Sequence, residues 1–209
     1  MSKLHEGQMV LTNGVPLDKA HKAIIMLHGR GASAYDILSL STYLDQEHIA
    51  YLAPQAANSE WYPQRFIEPV EKNEPWLTSA LQVVDGLVTQ IISAGLQRNQ
   101  VALLGFSQGA CLALEYAARN AGHYAGVFGL SGALIENGDQ PREYLGSLYG
   151  TPVFLGCSDV DMHIPLARVN RSAEVLKALG ATVTERIYPS MGHNVSEDEI
   201  EFIRETLKR

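Results

Sequence analysis

Cysteine is scarce in this chain of 209 residues: Cys111 and Cys157 are the only two, far apart and without metal-ligand spacing around them. Their scarcity excludes a disulfide framework and a cysteine-held zinc site, and leaves two small buried thiols as the expectation. Positive charge is also in short supply. Lys and Arg number 16 against 23 Asp and Glu, a net charge of −7 at pH 7 with histidine neutral. Such a balance offers no basic footprint, so neither nucleic acid nor an anionic membrane is expected as a partner. No apolar run approaches bilayer-spanning length, and the opening MSKLHEGQMV lacks a signal-peptide core, which points to a cytoplasmic location. Repeats, low-complexity tracts and blocks of charge are missing too. What remains is 46% hydrophobic and 19% charged, enough to bury one substantial core, and residues 1–209 are expected to form a single domain. The composition leaves monomer and homodimer both open.

Short apolar, β-branched runs alternate with longer amphipathic segments. The runs from Ala23 to Gly29, Ile49 to Pro54, Val101 to Phe106, Ala125 to Gly132, Thr151 to Cys157 and Thr182 to Pro189 read as strands. Several are apolar on both faces, as buried parallel strands are. Helical patterns lie near Tyr35 to Gln46, Pro75 to Ala94, Ser107 to Asn120, Leu166 to Leu179 and Ser196 to Lys208. The last opens with Ser196 as a cap, acids in its first turn and bases in its last, which suits the helix dipole. Strand then helix, repeated, predicts an α/β fold: a mostly parallel twisted sheet with helices on both faces and no separate cap domain. Residues around Met9 to Thr12 predict an antiparallel edge strand. The stretch from Gln55 to Pro75 is long for a loop and rich in aromatics and prolines, which marks it as a candidate functional segment.

In such a sheet, ligands collect at the carboxyl ends of the strands. Three chemistry-bearing residues follow three different strands there: Ser107 in LLGFSQGA, Asp161 in SDVDMHIP and His193 in SMGHN. Glycines two places either side of Ser107 suggest a sharp strand-to-helix turn with the serine at its apex. That motif taken alone is balanced between a nucleophile and a serine that merely caps the next helix. The other two residues tip the balance. A serine hydroxyl is a weak nucleophile at neutral pH; an imidazole must take its proton, and a carboxylate must fix the imidazole's tautomer. The order serine, acid, histidine is that of the nucleophile-elbow hydrolases.

Together with Leu27 to Gly31 (LHGRG), Ala53 to Ala56 (APQA), Asp161 to Pro165 (DMHIP) and Met191 to His193 (MGH), the elbow resembles the α/β-hydrolase fold. More closely, it resembles the phospholipase/carboxylesterase family that includes the acyl-protein thioesterases, over nearly the whole chain. The resemblance implies a serine carboxylesterase acting through an acyl-enzyme, with Ser107 as nucleophile, His193 as general base and Asp161 as its acid. It implies an oxyanion hole from the main-chain N–H groups of Arg30 and Gln108, whose side chains would be free to vary. No metal and no cofactor are expected. The sequence departs from the family at Ala110, where another glycine is usual, and at Arg30, where an apolar residue is usual. It also departs at Ala32-Ser33, at GCSD before the acid, and across Gln55 to Pro75, which lacks the long-chain acyl-covering pattern. Small or short-chain esters, and thioesters of similar size, are therefore the expected substrates, with Trp61 and Tyr62 as candidate walls of the acyl pocket. His28 is expected to pack and shape its turn, and Glu60, Glu68, Glu71 and Glu74 to form a solvated acidic face.

Two other readings compete. Gly29 to Ala34 matches G-x-G-x-x-A after a strand, a dinucleotide-binding pattern for an NAD(P)-dependent oxidoreductase, but no acid lies between Ile49 and Asn58 to hold a ribose. Asp159, Asp161 and His163 alternate and would make a metal-dependent hydrolase if they converged on a cation; that reading leaves the elbow serine idle.

Overall fold

Strand β2 (Lys22–Leu27) shows why so much of the chain is apolar. Ala23, Ile25 and Leu27 pack into one hydrophobic layer, and Ile24 and Met26 into another on the opposite side. Successive side chains of a strand point to opposite faces, so a strand covered on both sides must be apolar throughout. The computed structural model describes residues 4–44, 47–138 and 142–208. Among them the strands are β1 (Val10–Gly14), β2, β3 (Ile49–Pro54), β4 (Val101–Phe106), β5 (Gly126–Leu130), β6 (Pro152–Ser158) and β7 (Thr182–Tyr188). They form one sheet in the order β1-β3-β2-β4-β5-β6-β7. All neighbours run parallel except the edge strand β1, antiparallel to β3. This is the expected α/β-hydrolase layout, with strand limits within two residues of those expected.

The longer helices follow the amphipathic segments: α3 (Trp76–Ser93), α4 (Gln108–Arg119), α5 (Leu166–Ala178) and α6 (Glu197–Leu207). The apolar sides of α3, α4 and α5 cover one face of the sheet, and α6 covers the other. The segment read as one helix from Tyr35 to Gln46 is broken. It forms α1 (Ala34–Leu38) and α2 (Ser41–Leu44), while Asp45 and Gln46 lie outside the described residues. The break has a local cause: Ser39 Oγ donates to the Asp36 carbonyl and Ser41 Oγ to that of Leu38, so short hydroxyls compete for helix carbonyls. At the other end of the chain α6 opens on a reciprocal cap between Ser196 and Glu199, anchoring the segment that follows β7.

The consequence for function is positional. Parallel strands β4, β6 and β7 all end at the same edge of the sheet; Ser107 follows β4 directly, and Asp161 and His193 lie in the loops that follow β6 and β7.

Candidate active site

The turn after β4 is made by sterics. Ser107 has φ 54° and ψ −119°, a conformation L-residues rarely adopt and that costs about 1–3 kcal/mol. Its flanking glycines permit that turn. A Cβ on Gly105 would lie 2.2 Å from the Gly109 carbonyl oxygen, and one on Gly109 would lie 2.1 Å from that of Leu27. Ser107 N–H donates to the Leu130 carbonyl (2.9 Å), and its own carbonyl accepts from Cys111 N–H (3.1 Å). Backbone bonds on both sides hold the serine at the apex. Its hydroxyl makes no capping bond to α4, so the capping role weighed from the sequence is absent. Ala110, where a glycine is usual, sets its methyl against Gly132, where an added Cβ would be 2.3 Å away.

The Ser107 hydroxyl meets an imidazole instead. His193 Nε2 lies 2.8 Å from Ser107 Oγ, and His193 Nδ1 lies 2.7 Å from Asp161 Oδ2. An ionised carboxylate can only accept, so Nδ1 carries the hydrogen and Nε2 is left to accept from the serine. Burial pushes the Asp161 carboxyl up. The His193 bond and two main-chain donors, His163 N (2.8 Å) and Ile164 N (3.0 Å), outweigh it and hold the carboxyl below its ordinary range. The imidazole is also pinned by rings: Phe106 at 4.9 Å and His163 at 4.8 Å between centroids. Asp159 goes elsewhere and accepts from Ser190 N (2.8 Å), fastening the loop that presents His193.

Arg30 and Gln108 both line the same cavity, and among the described residues neither main-chain N–H donates to another protein group. The side chains of these two residues, given no part from the sequence, are both employed. Arg30 donates to Glu60, to the carbonyls of Tyr62 (2.8 Å) and Gln64 (2.8 Å), and to that of Pro63 (3.0 Å). Gln108 accepts from Trp61 N (2.9 Å) and donates to the Tyr62 carbonyl (2.8 Å). Both therefore clamp the segment from Gln55 to Pro75.

Other polar side chains complete the clamp. His5 donates to the Trp61 carbonyl (3.0 Å) and accepts from Ala57 N (3.0 Å). Buried Asn73 accepts from Gln64 N (2.7 Å). His28 is packed as expected, bonding the Gly29 carbonyl (2.7 Å) and Ala56 N (3.1 Å); burial lowers its pKa. His5 and Asn73 went unnoticed in the sequence, where an isolated polar residue gives no sign of a distant partner.

The cavity has a volume of about 310 Å³, at the small end for ligand pockets. Tyr62, Phe66, Phe106, Cys111 and Ile164 supply its apolar lining beside Ser107 and His193. Trp61 does not line it. Its indole is fully buried, with Nε1 donating to the His28 carbonyl (2.9 Å), because the clamp turns residue 61 into the core and residue 62 toward the cavity. Nor is the acidic face simply solvated: Glu60 pairs with Arg30, Glu68 with Lys72, and Glu74 accepts from Thr78 N at the start of α3. Cys111 and Cys157 are free and buried, and burial pushes both thiols up to about 12, which leaves them protonated and inert.

The competing readings find little here. Gly31 takes a positive φ of 76°, Gly29 fits closely against Phe106 and Ser107, and the helix that follows has only five residues. These glycines shape the elbow's neighbour. Among the described residues no three His, Cys, Asp or Glu side chains converge as a metal site, and Asp159 and Asp161 turn to different partners.

Comparison with known proteins agrees with the fold and with the family resemblance. The profile of the phospholipase/carboxylesterase family matches residues 14–209. A crystal structure of a phospholipase/carboxylesterase from Dyadobacter fermentans superposes with a TM-score of 0.92 at 41% identity, covering 97% of each chain. Among curated proteins, mouse lysophospholipase-like protein 1 is 26% identical, covering 90% of this chain and 87% of its own. Acyl-protein thioesterase 1 of Saccharomyces cerevisiae is 25% identical, covering 92% and 94%.

Proposed function

The chain belongs to the phospholipase/carboxylesterase family and is a serine hydrolase of ester bonds; from that premise we propose a single-domain carboxylesterase for small or short-chain esters, working through Ser107, His193 and Asp161. The observation that carries the proposal is the unbroken chain of contacts from Asp161 through His193 to Ser107, at 2.7 and 2.8 Å.

The reaction runs in two halves. As Ser107 Oγ attacks the ester carbonyl carbon, its proton passes to His193 Nε2, and Asp161 stabilises the imidazolium through Nδ1. The carbonyl oxygen becomes an oxyanion and takes hydrogen bonds from the N–H groups of Arg30 and Gln108. Collapse of the tetrahedral intermediate breaks the bond to the leaving oxygen, which receives the Nε2 proton. A water molecule then repeats the sequence on the acyl-enzyme and frees the acid. Asp161, held ionised, keeps one tautomer of His193 through both halves.

The small cavity supports the short-chain reading. Each methylene taken out of water gains about 0.8 kcal/mol, and beyond the wall of Tyr62 and Phe66 further chain length gains nothing. Relatives named for lysophospholipid and acyl-protein thioester substrates make short thioesters part of the proposal. A fluorophosphonate probe should add its mass to the peptide bearing Ser107, and Ser107→Ala should remove both labelling and turnover, lowering kcat by about 10³ or more. Labelling of any other peptide sinks the assignment.

A further inference from the structure

The cavity has an electrostatic bias that the overall charge of the chain hides. The chain carries −7, yet among the described residues no carboxylate lines the cavity, while Arg30, Arg65 and His163 do. The nearby carboxylates are already engaged: Glu60 by Arg30, Glu136 by Arg168, and Asp161 by His193. Arg30 is also committed, since its guanidinium is spread over Glu60 and three carbonyls.

Arg65 differs. Its main chain is held by Asn73, which donates to the Arg65 carbonyl (3.3 Å), so the side chain starts from a fixed point at the cavity mouth. The guanidinium makes one long bond, Nη2 to the His163 carbonyl (3.2 Å), and has no carboxylate partner among the described residues. Bridging to His163 spans the mouth from the clamped segment to the loop that carries Asp161. A planar guanidinium with most of its N–H groups facing water suits a carboxylate, which it can meet with two parallel hydrogen bonds.

We infer that Arg65 is a specificity-determining residue, and that the site prefers short esters whose acyl or alcohol part bears a carboxylate. The inference rests on the esterase reading and deepens it. In such a substrate the reacting carbonyl sits at Ser107 and the oxyanion hole, and the carboxylate is received at the mouth, with the His163 ring beside it. The charge also raises the local concentration of anionic substrate at a mouth without carboxylates.

Two matched pairs test this in a pH-stat: ethyl hydrogen glutarate against ethyl valerate for the acyl side, and γ-acetoxybutyrate against butyl acetate for the alcohol side. The wild-type protein should favour the anionic member of at least one pair by about tenfold in kcat/KM, the scale of one charge-assisted hydrogen bond. The ratio should shrink in high salt, fall to near one in Arg65→Gln and invert in Arg65→Glu. Reading the ratio within each variant separates selectivity from any general loss of activity. Turnover of all four esters without preference, or a preference that survives Arg65→Gln, overturns the inference and leaves the esterase reading standing. No turnover of any of the four removes both.

Discussion

The two sides of the cavity are built by different means. On the strand side, positions are set by backbone sterics: Gly105 and Gly109 leave no room for a side chain, and Ser107 is driven into a left-handed turn that aims its hydroxyl at His193. On the loop side, residues 55–75 have only short 3-10 turns, at Ala57–Ser59 and Val70–Asn73. Polar side chains hold them, most from outside the loop: His5, His28, Arg30 and Gln108, with Asn73 from within. A steric frame tolerates almost no change, because a displaced backbone has nowhere to go. A network of several hydrogen bonds loses one and keeps its outline. On the proposed reading, chemistry sits on the first and substrate choice on the second, and the two can vary separately.

The largest effect should come from the strand side. Asp161→Asn leaves the shape intact but offers His193 an amide in place of a carboxylate, which frees the wrong tautomer and withdraws the stabilising charge. Loss of about 10³–10⁴ in kcat is expected, with KM little changed. Asp159→Asn touches only Ser190 and should cost less than tenfold. Equal losses in the two variants would show that the loop after β7, not the acid, is the weak point.

The frame itself is tested by Gly109→Ala. Within a helix, alanine gains about 1 kcal/mol over glycine from propensity. Against that, the new Cβ would stand 2.1 Å from the Leu27 carbonyl oxygen; the oxygen belongs to backbone and the Cβ position is fixed by backbone, so neither can rotate away. Overpacking of this kind costs about 3 kcal/mol or more, and sterics win. With a net loss of about 2 kcal/mol, thermal unfolding should show Tm at least about 4–8 °C lower. An unchanged Tm would mean that the elbow is less rigid than its glycines suggest.

This division also explains what could be read in the sequence. Short continuous apolar runs reveal strands because burial on both faces is a local property, so the limits of β2, β3, β4 and the rest lie within two residues of expectation. The elbow glycines are legible because they bracket Ser107 within five residues, although what Gly109 meets, the Leu27 carbonyl, is distant in the chain. Ser107, Asp161 and His193 could be grouped because each follows a strand of one parallel sheet. The clamp could not. His5 and Ser79 bond across 74 positions, and His5 and Trp61 across 56, with no periodicity to announce either. Hence sequence alone points Trp61 toward the cavity and offers no role for the Arg30 side chain, where the structure buries the first and employs the second. Serines also hid the break between α1 and α2, since the apolar pattern runs through it.

The smallest effect, and the one that decides whether the two sides are independent, belongs to Arg30→Met. The substitution keeps the main-chain N–H beside Gln108 and removes only the guanidinium that gathers Glu60 and the carbonyls of Tyr62, Pro63 and Gln64. The Arg30 side chain is 40% exposed, so water can take over part of each lost bond, and the cost to folding should be about 1 kcal/mol, or about 2–4 °C in Tm. Gln108, His5 and Asn73 still hold the segment, but the Tyr62 carbonyl loses one of its two donors. A looser wall binds an acyl group less well without disturbing proton transfer between Ser107 and His193. KM for a short neutral ester should therefore rise several-fold while kcat changes by less than about threefold. Arg30→Lys should behave much like Arg30→Met, because a single ammonium cannot reach four acceptors spread over five residues. A fall in kcat approaching that of Asp161→Asn would mean that the clamp also sets the oxyanion hole, and that the loop side shares in the chemistry.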